Sequence, residues 1–231
     1  VGGSQRGRLA VDVGGDGLTQ FGWRCAGLFH WLRLAQESTH MTHTFTPEQE
    51  RLVIEDTQKW LLDAVVGLNL CPFAKSVVVK DMVRYRVCAS AEPADVLAML
   101  REELQHLAEA DPDKLDTTLL MAPDALPDFL DFNDFLADCD EVLIDLELDG
   151  VLQVADFHPH YQFGGTEVDD IENFTNRTPY PTLHLLREAS IDKAVEAYPD
   201  ASLIFERNIE VLNKLGHAGW QALGIRARLK D

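Results

Sequence analysis

The sequence predicts a single α+β domain over residues 41–231, with a mainly antiparallel sheet and helices packed on it. First, segments of helical and strand periodicity follow in the order α-β-β-α-β-α-β-β-α-α. Second, 231 residues that are 46% hydrophobic and 26% charged have the composition and length of a globular chain with one sizeable core. The order also fits a ferredoxin-like β-α-β-β portion.

Residues 1–40 differ in kind from the rest of the chain. They are rich in Gly and Arg, carry four basic and three acidic residues, and show no sustained period. We expect them to be a disordered or non-native extension and Met41 to be the natural start. Soon afterwards, Thr46-Pro47-Glu48-Gln49 has the pattern of a helix capping box with Pro at the first helical position.

The first half of the domain reads as helix, two strands, helix and strand. Apolar residues at helical spacing, with Cys71-Pro72 as the stop, predict the first helix. β-branched or alternating apolar residues predict the strands. The expected elements are a helix over 47–68, strands at Val77–Val79 and Val83–Val87, a helix from Ser90, and a strand over Thr117–Met121.

Residues 127–148 give the clearest helical pattern, because seven apolar residues recur at steps of three or one. Six carboxylates recur on the opposite face at steps of three or four. They are Asp128, Asp131, Asp134, Asp138, Glu141 and Asp145. A rival interpretation pairs residues 142–148 with 151–157 through an Asp149-Gly150 hairpin turn, but the seven apolar matches favour the helix.

The second half continues with strands and two helices. Gly150 is the expected helix stop, and the elements that follow are strands at Val151–Phe157 and Thr182–Leu186, a short helix capped by Ser190, and a longer one from Asp200 to Gly216.

The net charge is −19, and it is unevenly distributed. Residues 115–176 hold sixteen carboxylates and no Lys or Arg. Such a chain gains nothing from releasing the counterions of a polyanion, which argues against nucleic acid or an anionic membrane as a partner. Four widely spaced cysteines without a Cys-x-x-Cys pair favour a cytoplasmic protein, and no transmembrane helix is expected.

Three histidines suggest a metal site. His158-Pro159-His160 follows a predicted strand, and His184 lies in the next one. An H-x-H in extended backbone brings two imidazoles within reach of one divalent metal, such as zinc or iron, and a third histidine would leave a position open for water. The alternative is that these histidines are hydrogen-bonded core residues or act without a metal.

Arg177 is the first cation after the 62-residue stretch without one, and it lies in a loop with Asn176 beside it and two prolines after it. Arg177 and Asn176 would bind an anionic substrate group, or Arg177 would pair with the surrounding carboxylates.

Cys71-Pro72-Phe73 is similar to the Cys-Pro-Phe of glutaredoxin-like proteins, but Ala74 replaces the second cysteine. The preceding residues are expected to be helical, so Cys71 would end a helix rather than open one. That favours an inert thiol, and a catalytic nucleophile remains the alternative.

Three segments together resemble a bacterial family known as domain of unknown function (DUF) family 1415. They are Gly67–Ala74, Phe157–Phe163 and Asp170–Arg187, and the resemblance covers about residues 45–216. It implies no reaction, since the family has no established activity.

The function predicted from the residues is an enzyme that acts on a small anionic molecule, such as a metal-dependent hydrolase. Its site would form around His158, His160, His184 and the 163–181 loop. One alternative is a non-enzymatic adaptor that uses the acidic helix face, and another is thiol redox chemistry at Cys71. The sequence does not indicate the oligomeric state.

Overall fold

A computed structural model describes residues 44–197 and 203–230. The expectations for residues 1–40 and for a helix cap at Asp200 lie outside the described residues. The helices are α1 Pro47–Trp60, α2 Ala74–Val79, α3 Pro93–Glu109, α4 Phe129–Asp145, α5 Glu188–Ala197 and α6 Ile204–Ala222. The strands are β1 Val83–Val87, β2 Thr117–Met121, β3 Leu152–Phe157 and β4 Thr182–Arg187. A π-helical segment covers Leu61–Val66, and short 3-10 helices cover Ile171–Asn176 and Arg228–Lys230.

The four strands form one mixed sheet in the order β1-β2-β4-β3, which confirms the α+β class. β4 pairs antiparallel with both β2 and β3, whereas β1 and β2 are parallel. The parallel pair exists because α3 connects the two strands as a crossover helix. β1 and β2 pair directly, with no strand between them, so this β-α-β unit is not split as it is in a ferredoxin-like fold.

Helices cover both faces of the sheet, and a separate core lies on each. On one face, Leu120, Leu183 and Leu185 pack among residues of α3 and α4, including Leu100 and Phe132. On the other face, Leu119 and Met121 pack with α1, the π-helical segment and α6. Side chains alternate between the faces along each strand, so the register of a residue decides which core it enters.

Most predicted elements are confirmed, with shifted ends. The Thr46 capping box is present, with Gln49 N–H donating to Thr46 Oγ1 over 3.2 Å. The acidic helix is α4, capped by Asp128, so the hairpin interpretation is wrong. α5 begins at Glu188, directly after β4, and not at Ser190. α6 has a kink at Gly216, where φ is 63°, and continues to Ala222.

The strand predicted at Val77–Val79 is wrong, because these valines belong to α2. β1, which follows them in the chain, is an edge strand of the described sheet. A turn at Asp81, with φ of 56°, separates α2 from β1. Val77 and Val78 are half-buried against the apolar side of the sheet. Burial on one side of a helix therefore overrides the β propensity of the three valines.

Within the described residues, no helix is both long enough and apolar enough to span a membrane.

Candidate functional site

The predicted histidine cluster is divided between the two faces of the sheet. His184 of β4 lies opposite Leu119 and Ala155, and its ring contacts that of Phe157 at 5.9 Å between centroids. His158, one residue beyond β3, is fully buried on the other side and packs on Phe132 of α4 at 5.1 Å. The strand alternation therefore separates His158 from His184.

Hydrogen bonds fix the orientation of the His158 ring. Its Nδ1 accepts from the backbone N–H of His160 over 3.0 Å. A neutral imidazole with an accepting Nδ1 carries its proton on Nε2, so Nε2 donates to the carbonyl of Leu126, 3.1 Å away. His158 thus ties the end of β3 to the turn before α4.

Among the residues that the structure describes, no group of three or more His, Cys, Asp or Glu side chains could hold a metal ion. His158, His160 and His184 are accordingly not brought together as three ligands. Both ring nitrogens of His158 already have protein partners, which leaves no lone pair for a zinc or iron ion.

A buried asparagine organises the loop between β3 and β4. The Nδ2 of Asn173 donates to the carbonyl of Glu167 over 2.8 Å. Its Oδ1 accepts from the backbone N–H of Phe163 over 3.0 Å and from Thr166 Oγ1 over 2.8 Å. One side chain therefore satisfies three polar groups of the loop and gives it a defined shape.

Arg177 is held by this loop. Its Nε donates to the carbonyl of Tyr161 over 3.0 Å and its Nη2 to that of Val168 over 2.7 Å. The guanidinium carbon lies 4.4 Å from the centre of the Phe174 ring. Burial lowers the pKa of Arg177, an effect that the charge of Asp169 opposes, and an arginine remains protonated under both influences. No described residue accepts a hydrogen bond from Nη1.

Arg177 lines a cleft of about 380 Å³, called here the arginine cleft. Its lining includes Pro127, His160, Phe174, Arg177, Trp220 and Arg226. None of the described lining residues is Asp or Glu. The lining of the cleft therefore includes two arginines and an aromatic wall, where the rings of Phe174 and Trp220 meet edge to face at 5.1 Å.

A buried carboxylate joins two walls of the arginine cleft. Asp56 of α1 is 3% exposed and accepts from the hydroxyl of Tyr180 over 2.8 Å. It also accepts from the backbone N–H of Arg228 over 2.8 Å and pairs with the guanidinium of that residue. Tyr180 lies between two lining prolines, and Arg228 follows the lining segment 225–227. Asp56 thus fixes two distant parts of the chain against each other.

Asn176, the other predicted substrate-binding residue, lies beside Arg177 but outside the lining of the arginine cleft. The backbone carbonyl of Asn176 accepts from the backbone N–H of His158 over 3.1 Å. The side-chain Nδ2 of Asn176 donates to the backbone carbonyl of Asp156 over 3.4 Å. Asn176 therefore attaches the loop to the end of β3.

Cys71 and His184 line a second cavity, of about 360 Å³, called here the apolar cavity. Cys71 is half-buried and lies in the turn between the π-helical segment and α2. Its N–H bonds to the carbonyl of Val65 over 3.5 Å, so Cys71 follows the end of one helical segment, as expected, and also precedes the short helix α2. Burial lowers the pKa of His184 to about 4, so its ring is neutral at pH 7.

The six carboxylates predicted on one face of α4 are all exposed. Asp128 caps the helix, and Asp145 forms an exposed ion pair with Arg101 at 3.0 Å. The remaining four point away from the core as a solvated face, as the periodicity predicts.

Trp220 and Arg226 were not predicted as site residues from the sequence. Both lie in the C-terminal segment after His217, where the sequence shows little pattern. Arg226 enters the arginine cleft because the next 3-10 helix is anchored to Asp56, a contact across 172 positions that has no local sequence signal.

No curated protein and no solved structure matches the chain. A family model does match, over residues 52–222, which includes β1 to β4 and the residues from Cys71 to Trp220 discussed above. The match begins and ends a few residues later than the range of the resemblance recognised in the sequence. It covers well over half of the chain, and the chain therefore belongs to the family described as protein of unknown function, DUF1415.

Proposed function

We propose that the protein binds a small anionic molecule with an apolar part in the arginine cleft. The observation that carries this proposal is electrostatic. In a chain of net charge −19, this cleft has Arg177 and Arg226 in its lining and no described carboxylate. Guanidinium groups donate paired hydrogen bonds to carboxylate and phosphate oxygens, and these are the anions that we expect.

The position of Arg177 supports the proposal further. Two backbone carbonyls and the Phe174 ring hold the guanidinium in one orientation, so little side-chain entropy is lost when a ligand binds. Nη1 is the part of the group that has no described acceptor. Phe174 and Trp220 would pack against the apolar part of the ligand.

His160 lines the same cleft and is exposed. Histidine is the most frequent general acid or base in enzymes, so a reaction on the bound anion would use His160 in that role. With His160 in this role, the protein could be an enzyme that acts on a small anion without using a metal.

Titration calorimetry with benzoate and phenyl phosphate tests the proposal, with benzamide as the uncharged analogue. We expect both anions to bind and benzamide to bind at least about tenfold more weakly. Arg226→Gln should weaken binding of the anions about tenfold. The matched control is Lys214→Gln, which removes one exposed positive charge from α6 outside the cleft lining.

Two results would overturn the proposal. One is equal affinity for benzoate and benzamide. The other is an equal loss of affinity in Arg226→Gln and Lys214→Gln, because that would attribute binding to the overall charge and not to the cleft.

A cytoplasmic location is part of the same proposal. Cys71, Cys88 and Cys139 form no disulfide in the described part of the chain, as expected in a reducing compartment. Fractionation of cells that express the protein, followed by immunoblotting, tests this, and recovery from the secreted fraction would contradict it.

A further inference from the structure

The apolar cavity lies between one face of the sheet and the helical segments that cover it. Ala155, Phe157 and His184 form the sheet side, and Trp60, Val65 and Cys71 are among the residues opposite. Its volume of about 360 Å³ falls in the range of small-molecule sites. It is more than twice the volume of about 150 Å³ that suffices to bind benzene in an engineered cavity.

A buried donor without a partner belongs to this lining. The side chain of Trp60 is 1% exposed, and its Nε1 has no hydrogen-bond partner among the described residues. An indole N–H can only donate, and such groups are normally paired when buried. Because Nε1 has almost no accessible surface, the acceptor of a ligand reaches it only when neighbouring lining side chains shift.

The charges around the cavity exclude an anionic ligand. Asp116 is the only Asp, Glu, Lys or Arg among the described lining residues, and it accepts from the hydroxyl of Ser190 over 2.5 Å. His184 is neutral, because burial lowers its pKa to about 4. No cation among the described lining residues would compensate an anion. The arginine cleft has the opposite character and shares no lining residue with this cavity.

The backbone beside Trp60 is also unusual. Residues Leu61–Val66 are π-helical, with the N–H groups of Gly67 and Leu70 bonded to carbonyls five residues earlier, each over 2.9 Å. π-helical turns are rare in proteins, and those that occur are often found at functional sites. Leu61 and Val65 of this segment line the cavity.

From these features we propose that the apolar cavity is a second binding site, for an uncharged molecule with an aromatic ring system and a carbonyl or similar acceptor that Trp60 Nε1–H recognises. His184 also lines the cavity, and a neutral imidazole offers the ligand one further donor and one acceptor.

Three naphthalene probes of similar size separate the contributions: 2-acetylnaphthalene has an acceptor, 2-ethylnaphthalene has none, and 2-naphthoate is an anion. The readout is the indole N–H signal of Trp60 in ¹H–¹⁵N NMR spectra of the full chain, assigned with Trp60→Phe. We expect the ketone to move this signal downfield and to bind about fivefold to tenfold more tightly than the hydrocarbon. 2-Naphthoate should not shift the indole N–H signal of Trp60, even if it binds in the arginine cleft.

Trp60→Phe keeps an aromatic ring but removes the donor. It should abolish the preference for the ketone over the hydrocarbon, with affinity for the hydrocarbon changed less than about twofold. An unchanged preference for the ketone, or no shift of the Trp60 signal with either uncharged probe, would overturn the proposal.

Ala155→Leu fills part of the cavity from the sheet side, and Ala194→Leu does so from α5. Each variant that retains the wild-type NMR dispersion should weaken binding of the ketone more than tenfold. The control is Lys214→Gln, which lies outside the linings of both sites and should leave the affinity for the ketone unchanged. Equal binding of the ketone by a folded cavity-filling variant would also contradict the site.

Discussion

The arginine cleft and the apolar cavity have nearly the same volume but are built by different forces. Charged and hydrogen-bonded groups from distant segments hold the cleft in place, chiefly through Asp56 and Arg177. Packing of the π-helical segment and α2 against the sheet forms the cavity. In its lining, Asp116 is hydrogen-bonded to Ser190, and His184 is neutral because burial lowers its pKa to about 4. The two sites should therefore differ in their response to substitution, pH and salt.

The largest effect is expected at Asp56. Asp56→Ala leaves the buried hydroxyl of Tyr180 and the backbone N–H of Arg228 without their shared acceptor, whereas the Arg228 guanidinium is 39% exposed and stays hydrated. The free energy of unfolding should fall by about 2–4 kcal/mol, the cost of lost hydrogen bonds to a buried carboxylate. Glu55→Gln is the matched control, because Glu55 contacts the same guanidinium at 3.0 Å but is 40% exposed. Glu55→Gln should lower the free energy of unfolding by less than about 1 kcal/mol. Urea unfolding measures both values.

In a folded population of Asp56→Ala, the two sites should respond unequally. Benzoate binding in the arginine cleft should weaken, since two of its walls lose their common anchor. Binding of 2-acetylnaphthalene in the apolar cavity should change little. Equal losses at both sites would show that Asp56 supports the whole domain and not the cleft in particular.

The next largest effect is the pH dependence caused by His184. Its pKa is about 4 in the folded protein and about 6.5 when unfolded. Between these values the unfolded state binds a proton that the folded state does not, so stability falls as the pH falls from about 6.5 to 4. The contribution of His184 to this loss is up to about 3 kcal/mol.

Urea unfolding of wild type and His184→Phe at several pH values isolates that contribution. The variant should lose less stability than wild type between about pH 7 and pH 4, whatever its stability at pH 7. Parallel curves for the two proteins would mean that His184 is not desolvated, and the contrast between an apolar cavity and a charged cleft would then fail.

How much could be predicted from the sequence depended on distance along the chain. Thr46 and Gln49 cap α1, and the carboxylates from Asp128 to Asp145 share one face of α4, because both patterns are complete within a few turns. Val77–Val79 was mistaken for a strand because its helical state depends on what the valines pack against.

The candidate site depended mostly on contacts that are distant in sequence. The H-x-H spacing places two histidines near each other but does not fix which face of the sheet receives His184, since that depends on strand register. Arg177 was recognised as a candidate because it is the first cation after an acidic stretch. Arg226 was missed because the ion pair between Asp56 and Arg228, which positions it, joins residues 172 positions apart.

The smallest expected effect is that of salt, and it separates the two sites most directly. Raising NaCl from about 0.05 M to about 0.5 M shortens the screening length to a few ångströms and should weaken benzoate binding roughly threefold to tenfold, because Arg226 is exposed. Binding of 2-acetylnaphthalene should stay within about twofold, since an uncharged ligand in an apolar cavity has no ionic attraction to screen. Both titrations use one protein sample, so a general effect of salt on folding would move the two affinities together. A salt dependence shared by both probes would contradict the assignment of charge to one site and apolar packing to the other.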